Sequence, residues 1–265
     1  MQKVIFIDVD GTLRTDTKEI TKRTINALSR IKSIGYEPIL CTGRARNYAE
    51  NLNNIINGSR YIIYSSGAGV FDSLSRKVLY ENPMNTDSVV SLYKATNSKG
   101  VGYIFACNGV RYVNKLKYHD GSEILIDEPI EFLSTNEIVQ ATIFSPNFEV
   151  VKQMQPEIQS IPYIKIMNQS KSLIDSNFVQ VDSAYYDIVD ENTSKGNGIE
   201  QFCKIFDIPK ENRISVGDDI NDISMFEQCG YNVAMGNALP VLKDLSNYVT
   251  DNNNNDGLAK FLDKL

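Results

Sequence analysis

Val4-Ile5-Phe6-Ile7-Asp8-Val9-Asp10-Gly11-Thr12 is the stretch on which the fold turns. Its apolar run shows no alternation, which predicts a short strand buried on both faces, and it stops at a carboxylate. The chain then changes period repeatedly. A helical pattern begins at about Thr21, carries Ile25, Leu28 and Ile31 on one face, and is stopped by Gly35. Tyr36 to Cys41 reads as a second buried strand, ending at Thr42-Gly43-Arg44. Another helix runs to about Ile56, and Tyr61-Ile62-Ile63-Tyr64 is a third strand. Strand alternating with helix predicts an α/β fold with a parallel sheet and crossover connections.

The middle of the chain has a different grammar. Tyr103–Cys107 and Val110–Val113 flank Asn108-Gly109, a strong two-residue hairpin signal. Further strands are expected at 139–144, 162–167 and 178–182, with a helix near 148–160. The parallel pattern then resumes with a helix from Lys195 to Phe206, strand Ile214–Val216, a helix at Ile223–Gln228 and strand Tyr231–Val233. Residues 1–83 and 189–265 therefore read as one discontinuous core, and 84–188 as an inserted α+β cap. The asparagine run Asn252–Asn255 reads as a polar loop tip.

The 265 residues carry a net charge of −6, against the concentrated positive face that nucleic acid or an anionic membrane surface requires. Cys41, Cys107, Cys203 and Cys229 share no metal-ligand spacing. No apolar stretch reaches the roughly 20 residues of a transmembrane helix, and the start of the chain does not read as a signal peptide. A reducing cytoplasm is the expected location. Oligomeric state is not legible.

Three polar clusters sit where apolar strands end: Asp8-Val9-Asp10-Gly11-Thr12, Thr42-Gly43-Arg44, and Gly217-Asp218-Asp219-Ile220-Asn221-Asp222. Lys195 opens the helix just before the third of them. An open α/β sheet gathers such ends on one side, where ligands bind. Carboxylates crowded together repel unless a cation lies between them, and all-oxygen donors suit Mg²⁺. A lysine and a hydroxyl nearby suit phosphoryl oxygens, and a free carboxylate can serve as nucleophile.

These clusters, in this order, resemble the motifs of haloacid dehalogenase-like phosphatases. The large insert resembles that of the Cof-type (IIB) subfamily with its C2B cap. The resemblance implies a Rossmann-like doubly wound core and Mg²⁺-dependent hydrolysis of phosphate monoesters of small metabolites, sugar phosphates foremost. It casts Asp8 as nucleophile and Asp10 as acid and base. Mg²⁺ would be held by the Asp8 carboxylate, the Asp10 carbonyl and Asp218, with Asp222 supporting it through water. Thr42 and Lys195 would bind the phosphoryl group, helped by the Val9 and Gly43 amides and by Asn221. Asp219 receives no role. Ser66-Gly67-Ala68 departs from the Asn-Gly-Ala that members often carry, which leaves substrate contacts there open.

Blander readings fit the residues less well. Asp8, Asp10, Thr12, Asp16 and Glu19 fall at EF-hand loop positions, but Leu13 stands where the sharp turn needs glycine. Lys195-Gly196-Asn197-Gly198 lacks the glycines that precede a Walker lysine. Cys41 reads as a buried strand thiol, and His119, the sole histidine, as a solvated or packing residue. Two rivals stay open on the same core: a phosphomutase or phosphotransferase, and a non-catalytic sensor of phosphorylated ligands.

Overall fold

The computed structural model describes residues 3–114, 123–170, 173–174, 180–181 and 184–265. These form two compact units, Met1–Tyr80 with Ser194–Leu265, and Glu81–Thr193.

The first unit opens with β1 (Lys3–Ile7), whose residues Val4 to Ile7 are all fully buried. Successive strand side chains point to opposite faces, so complete burial means that both faces are covered. Helix α1 (Lys22–Ser33) is capped by the Thr21 side chain, which accepts from the Thr24 amide at 3.1 Å. It packs its Ala27, Leu28 and Ile31 stripe inward and is followed by β2 (Tyr36–Cys41). Helix α2 (Arg46–Ile55) leads to β3 (Tyr61–Tyr64). β4 (Gly69–Asp72) then pairs antiparallel with β3, and β5 (Lys77–Glu81) closes that edge. The strictly parallel pattern read from the sequence thus ends at β3, because the tight turn at Ser65–Gly67 sends the chain straight back where a crossover helix would be needed.

The second unit begins with α3 (Thr86–Asn97), then β6 (Gly102–Cys107) and β7 (Val110–Val113), which pair antiparallel around Asn108-Gly109 as expected. There follow β8 (Ile124–Leu125), α4 (Pro129–Thr135) and β9 (Gln140–Ser145). The single helix expected at 148–160 is instead two, α5 (Phe148–Gln153) and α6 (Gln155–Gln159). Pro156 explains the break, since it has no amide to continue α5 and fits only the first turn of a new helix. β10 (Ile164–Ser170) follows. Of the strand expected at 178–182, Gln180–Val181 (β12) is seen pairing with Leu173–Ile174 (β11). The remainder lies outside the described residues, as does His119. β13 (Ala184–Asp190) completes a sheet of order β10-β13-β9-β6-β7-β8. Tyr103, Phe105, Ile143 and Ile188 pack with Leu92, Leu133, Met154 and Ile158 from the helices into one core. Asn82 Nδ2 donates to Asp190 and Thr193 at 3.0 Å each, tying the two ends of this insert together.

The chain then rejoins the first sheet through α7 (Lys195–Ile205), β14 (Arg213–Gly217), α8 (Ile223–Gln228), β15 (Tyr231–Ala234), α9 (Pro240–Leu245), β16 (Tyr248–Val249) and α10 (Gly257–Leu262). The sheet order is β16-β15-β14-β1-β2-β3-β4-β5, with β1 parallel to both β14 and β2. α7 seats Phe202 against Phe6 and Tyr61, with ring centroids 5.9 and 5.3 Å apart. No helix among the described residues is long and apolar enough to cross a membrane.

At the β4 end, Asp72 is buried and accepts from Arg60 Nε at 2.8 Å, from the Leu74 and Ser75 amides, and from the Ser75 hydroxyl. The Arg60 hydrogen bond, above all, holds the Asp72 carboxyl well below the usual carboxylate range. A depressed native value stabilises the fold above the unfolded value of about 3.9, and that contribution is lost as the pH falls through the native one. Asp72→Asn is expected to cost about 1–3 kcal/mol at neutral pH. It should also flatten the loss of stability below about pH 5, read by urea unfolding across pH. An acid limb as steep as that of the unmodified protein would show that the pair contributes nothing.

Candidate active site

Because β1 lies between β2 and β14, the carboxyl end of β1 is the point where the strand order reverses, which is where open α/β sheets bind ligands. Register assembles the site there. Ile7 is opposite Leu40 and Val216, and the Asp8 amide donates to the Val216 carbonyl at 3.0 Å. Asp8, Thr42 and Asp218 therefore emerge side by side, each just past its last paired residue. Lys195 reaches them from the first turn of α7, where the Ser194 side chain caps the helix by accepting from the Asn197 amide.

The Lys195 ammonium, 1% exposed, lies 2.5 Å from Asp8 Oδ1 and 2.6 Å from Asp222 Oδ1. Burial alone would lower its pKa, but the Asp222 and Asp8 charges overcome that and hold it well above the ordinary lysine value. Asp222 is fully buried, and its Oδ2 accepts from the Asp218 and Asp219 amides at 2.8 and 3.1 Å. Asp219, unassigned from sequence, caps the short turn Ile220–Asp222 by accepting from the Ile220 amide at 2.7 Å. Burial pushes Asp8 well above the normal carboxylate range, with Lys195 opposing and Asp222 and Asp218 adding to it. Burial, seconded by Asp222, also pushes Asp218 up to about 7.

Asp8, Asp218 and Asp222 each present an oxygen within 4.8 Å of the others. Lys195 by itself leaves these carboxylates short of neutrality, so the donor set fits a hard divalent cation such as Mg²⁺. Gly11 makes room for this cluster. It sits at φ +90°, and a Cβ there would lie 2.2 Å from Asp218 Oδ2.

Asp10 points elsewhere. Arg44 grips its carboxylate through two hydrogen bonds of 2.8 and 2.9 Å, with Lys18 at 3.4 Å and Arg14 at 3.8 Å. Burial favours the neutral form, yet the Arg44 charge and hydrogen bonds, with Lys18 and Arg14, hold Asp10 well below the usual range. Tyr48 braces the pair, with the Arg44 guanidinium 4.9 Å from its ring and its hydroxyl accepting from Arg14 at 2.5 Å.

Thr42 is buried, and its hydroxyl accepts from the Arg44 amide at 3.2 Å. The Thr42 carbonyl accepts from the Ser66 amide at 2.9 Å. Ser65 and Ser66 both hold positive φ, 48° and 57°, with buried hydroxyls that find no partner among the described residues. Asparagine tolerates that backbone region better than serine, so Ser66 maintains the turn at a conformational cost. Val9 is buried and uses its carbonyl to accept from the Arg14 amide at 3.0 Å. Asn221 lies on the turn after Asp219.

The EF-hand reading fails on geometry, because Asp10, Thr12 and Asp16 turn to Arg44, Asp218 and Asn253 respectively. Cys41 is buried, and burial raises its thiol far above the range of a nucleophile. The roles of Arg14, Tyr48 and Asn237 escaped the sequence reading. None stands at the end of an apolar run, which was the signal that found the others.

The model of the haloacid dehalogenase-like hydrolases matches residues 5–262. YxeH of Bacillus subtilis (strain 168), provisionally assigned as a phosphatase, is 30% identical over 278 aligned positions, covering 100% of this chain and 98% of that protein. The 5-amino-6-(5-phospho-D-ribitylamino)uracil phosphatase YitU of the same organism is 26% identical, covering 98% and 96%. Among solved structures, the subclass IIB sugar phosphatase BT4131 superposes with a TM-score of 0.75 at 26% identity, covering 99% and 98%. The chain belongs to the haloacid dehalogenase-like hydrolases, in the Cof-type branch to which its motifs pointed.

Removing Lys195 would leave Asp8 and Asp222 facing each other without their shared cation. Lys195→Met is expected to cost about 3–5 kcal/mol in metal-free buffer. Urea unfolding in chelator measures this, and a loss under about 1 kcal/mol would show that the two carboxylates are neutral without the lysine.

Proposed function

We propose that this hydrolase is a Mg²⁺-dependent phosphatase that cleaves phosphate monoesters of small metabolites, sugar phosphates foremost, through an aspartyl-phosphate on Asp8. The observation that carries the reading is the Asp8 carboxylate at the switch point of the sheet, 2.5 Å from a buried ammonium and beside Asp218. YitU and BT4131, whose names record phosphatase activity on a ribityl phosphate and on sugars, support the substrate class. Asp8 and Asp218, with the Asp10 carbonyl, would hold Mg²⁺. When bound, it would neutralise charge on the phosphoryl oxygens and keep Asp8 ionised.

The chain's own residues divide the remaining work. Lys195 and the Thr42 hydroxyl, with the Val9 and Gly43 amides and Asn221, bind the phosphoryl oxygens and align phosphorus with Asp8. An Asp8 oxygen forms the new bond to phosphorus while the bond to the leaving oxygen breaks, and that oxygen takes a proton from Asp10. Asp10, now ionised, accepts a proton from water as the water oxygen attacks phosphorus, and the bond to Asp8 breaks to release inorganic phosphate. The Arg44 clasp holds Asp10 in the ionised form needed for the second half. Delivering a proton in the first half requires that clasp to loosen.

Three experiments bear on this. Asp8→Asn should lower turnover of an aryl phosphate by at least about 10³-fold while leaving the far-ultraviolet spectrum unchanged, and retention of more than a tenth of activity would remove Asp8 from the nucleophile's role. Chelator should abolish phosphate release and Mg²⁺ should restore it. Arg44→Ala withdraws a cation from Asp10, so its carboxyl should protonate at higher pH. The acidic limb of the kcat profile should move upward in pH, and a downward shift would contradict the role given to Asp10.

A further inference from the structure

The asparagine run Asn252–Asn255 is not a free loop tip. Asn253 is only 6% exposed, and its Nδ2 donates to the Arg14 carbonyl at 3.0 Å and to Asp16 Oδ1 at 2.9 Å. Asn254 Nδ2 donates to Asp16 Oδ2 at 2.8 Å, and its Oδ1 accepts from the Asp16 amide at 3.0 Å. The segment that follows Asp8 is thus fastened along its length to the carboxyl-terminal part of the chain.

The same run reaches Asp218. The Asn253 backbone amide donates to Asn237 Oδ1 at 2.9 Å. A backbone N–H can only donate, so it fixes which way the Asn237 amide lies and turns Nδ2 the other way. Asn237 Nδ2 meets the Gly11 carbonyl at 2.9 Å and Asp218 Oδ2 at 3.2 Å. The opposite oxygen of Asp218 accepts from the Thr12 hydroxyl at 2.9 Å. One hydrogen bond would leave that carboxylate free to rotate. Two, on opposite oxygens, set its plane.

The geometry points to Asn237 as the positioning residue for Asp218. Asn253 holds Asn237 in turn, so that the asparagine run orients the carboxylate offered to the divalent cation. This rests on the metal reading given under Proposed function. Asparagine suits both links because one short side chain carries an acceptor and two donors; aspartate at 237 would face Asp218 with a second negative charge, and alanine would face it with nothing. Partners that orient a metal-binding carboxylate commonly change affinity by about 10- to 100-fold, and Asn237, being exposed, belongs at the lower end.

The test is a titration of the intact, chelator-stripped protein with Mn²⁺ alone, by calorimetry, beside the thermal midpoint of each metal-free protein. Asn237→Ala should weaken Mn²⁺ binding about tenfold. Asn253→Ala keeps its backbone donor but loses its hold on Arg14 and Asp16, so it should weaken binding by about two- to fourfold. Asn255→Ala, whose side chain sits 3.5 Å from Asp251, should bind as the unmodified protein does. A lowered thermal midpoint with Mn²⁺ affinity unchanged in both Asn237→Ala and Asn253→Ala would make the run purely structural and overturn the proposal. If Asn237→Ala does not fold, Asn253→Ala decides it alone. Should the unmodified protein take up no Mn²⁺, the metal reading itself falls. An unmodified protein that binds Mn²⁺ and hydrolyses an aryl phosphate, beside variants that bind it equally well, defeats only the assignment of Asn237.

Discussion

A lysine ammonium with 1% exposure sets the terms for the rest of this molecule. Placing a cation in the interior is expensive unless its charge and donors are met, and here Asp8 and Asp222 meet them from two different strand ends. That requirement couples three distant stretches of sequence. Asp8 must leave β1, Asp222 must close the turn after β14, and α7 must begin where its first residue projects between them. Asp222 meets the constraint twice, because the oxygen not used by Lys195 gathers the Asp218 and Asp219 amides. The loop that carries Asp218 is therefore shaped by the same carboxylate that neutralises the lysine.

Much of this is legible in the sequence, for a physical reason. A strand buried on both faces is a continuous apolar run, and a polar residue at its end has to be explained by something at the sheet's edge. Asp8, Thr42 and Asp218 all carry that mark, and the sheet order brings them together. Lys195 was legible because it opens a helical pattern just before the third polar cluster. What escaped depends on side-chain direction. Arg44 and Asp10 are separated by 34 positions, and nothing in their local sequence says that the carboxylate turns toward the guanidinium. The asparagines looked like loop filler because their partners, Asp16 and Asn237, lie on other segments. Helix α3 was missed since Thr86–Asn97 is rich in threonine, serine and asparagine and so shows a weak apolar stripe. The single helix expected at 148–160 passes over Pro156, which begins a new helix.

The two carboxylates of Asp8-Val9-Asp10 show how little spacing alone decides. In a continuing strand, residues two apart share a face and would share an environment. The strand stops at Ile7, and the chain turns there, with the Leu13 and Arg14 amides donating to the Asp8 and Val9 carbonyls. Asp8 is left among buried groups, where desolvation favours its neutral form, while Asp10 is delivered to three cations that favour the charged one. Neighbouring carboxylates driven in opposite directions are the arrangement from which distinct chemical roles are made. Just past both carboxylates, the turn needs glycine beside Asp218. The glycine thus does two jobs, since a side chain at position 11 would both strain the turn and strike the carboxylate across from it.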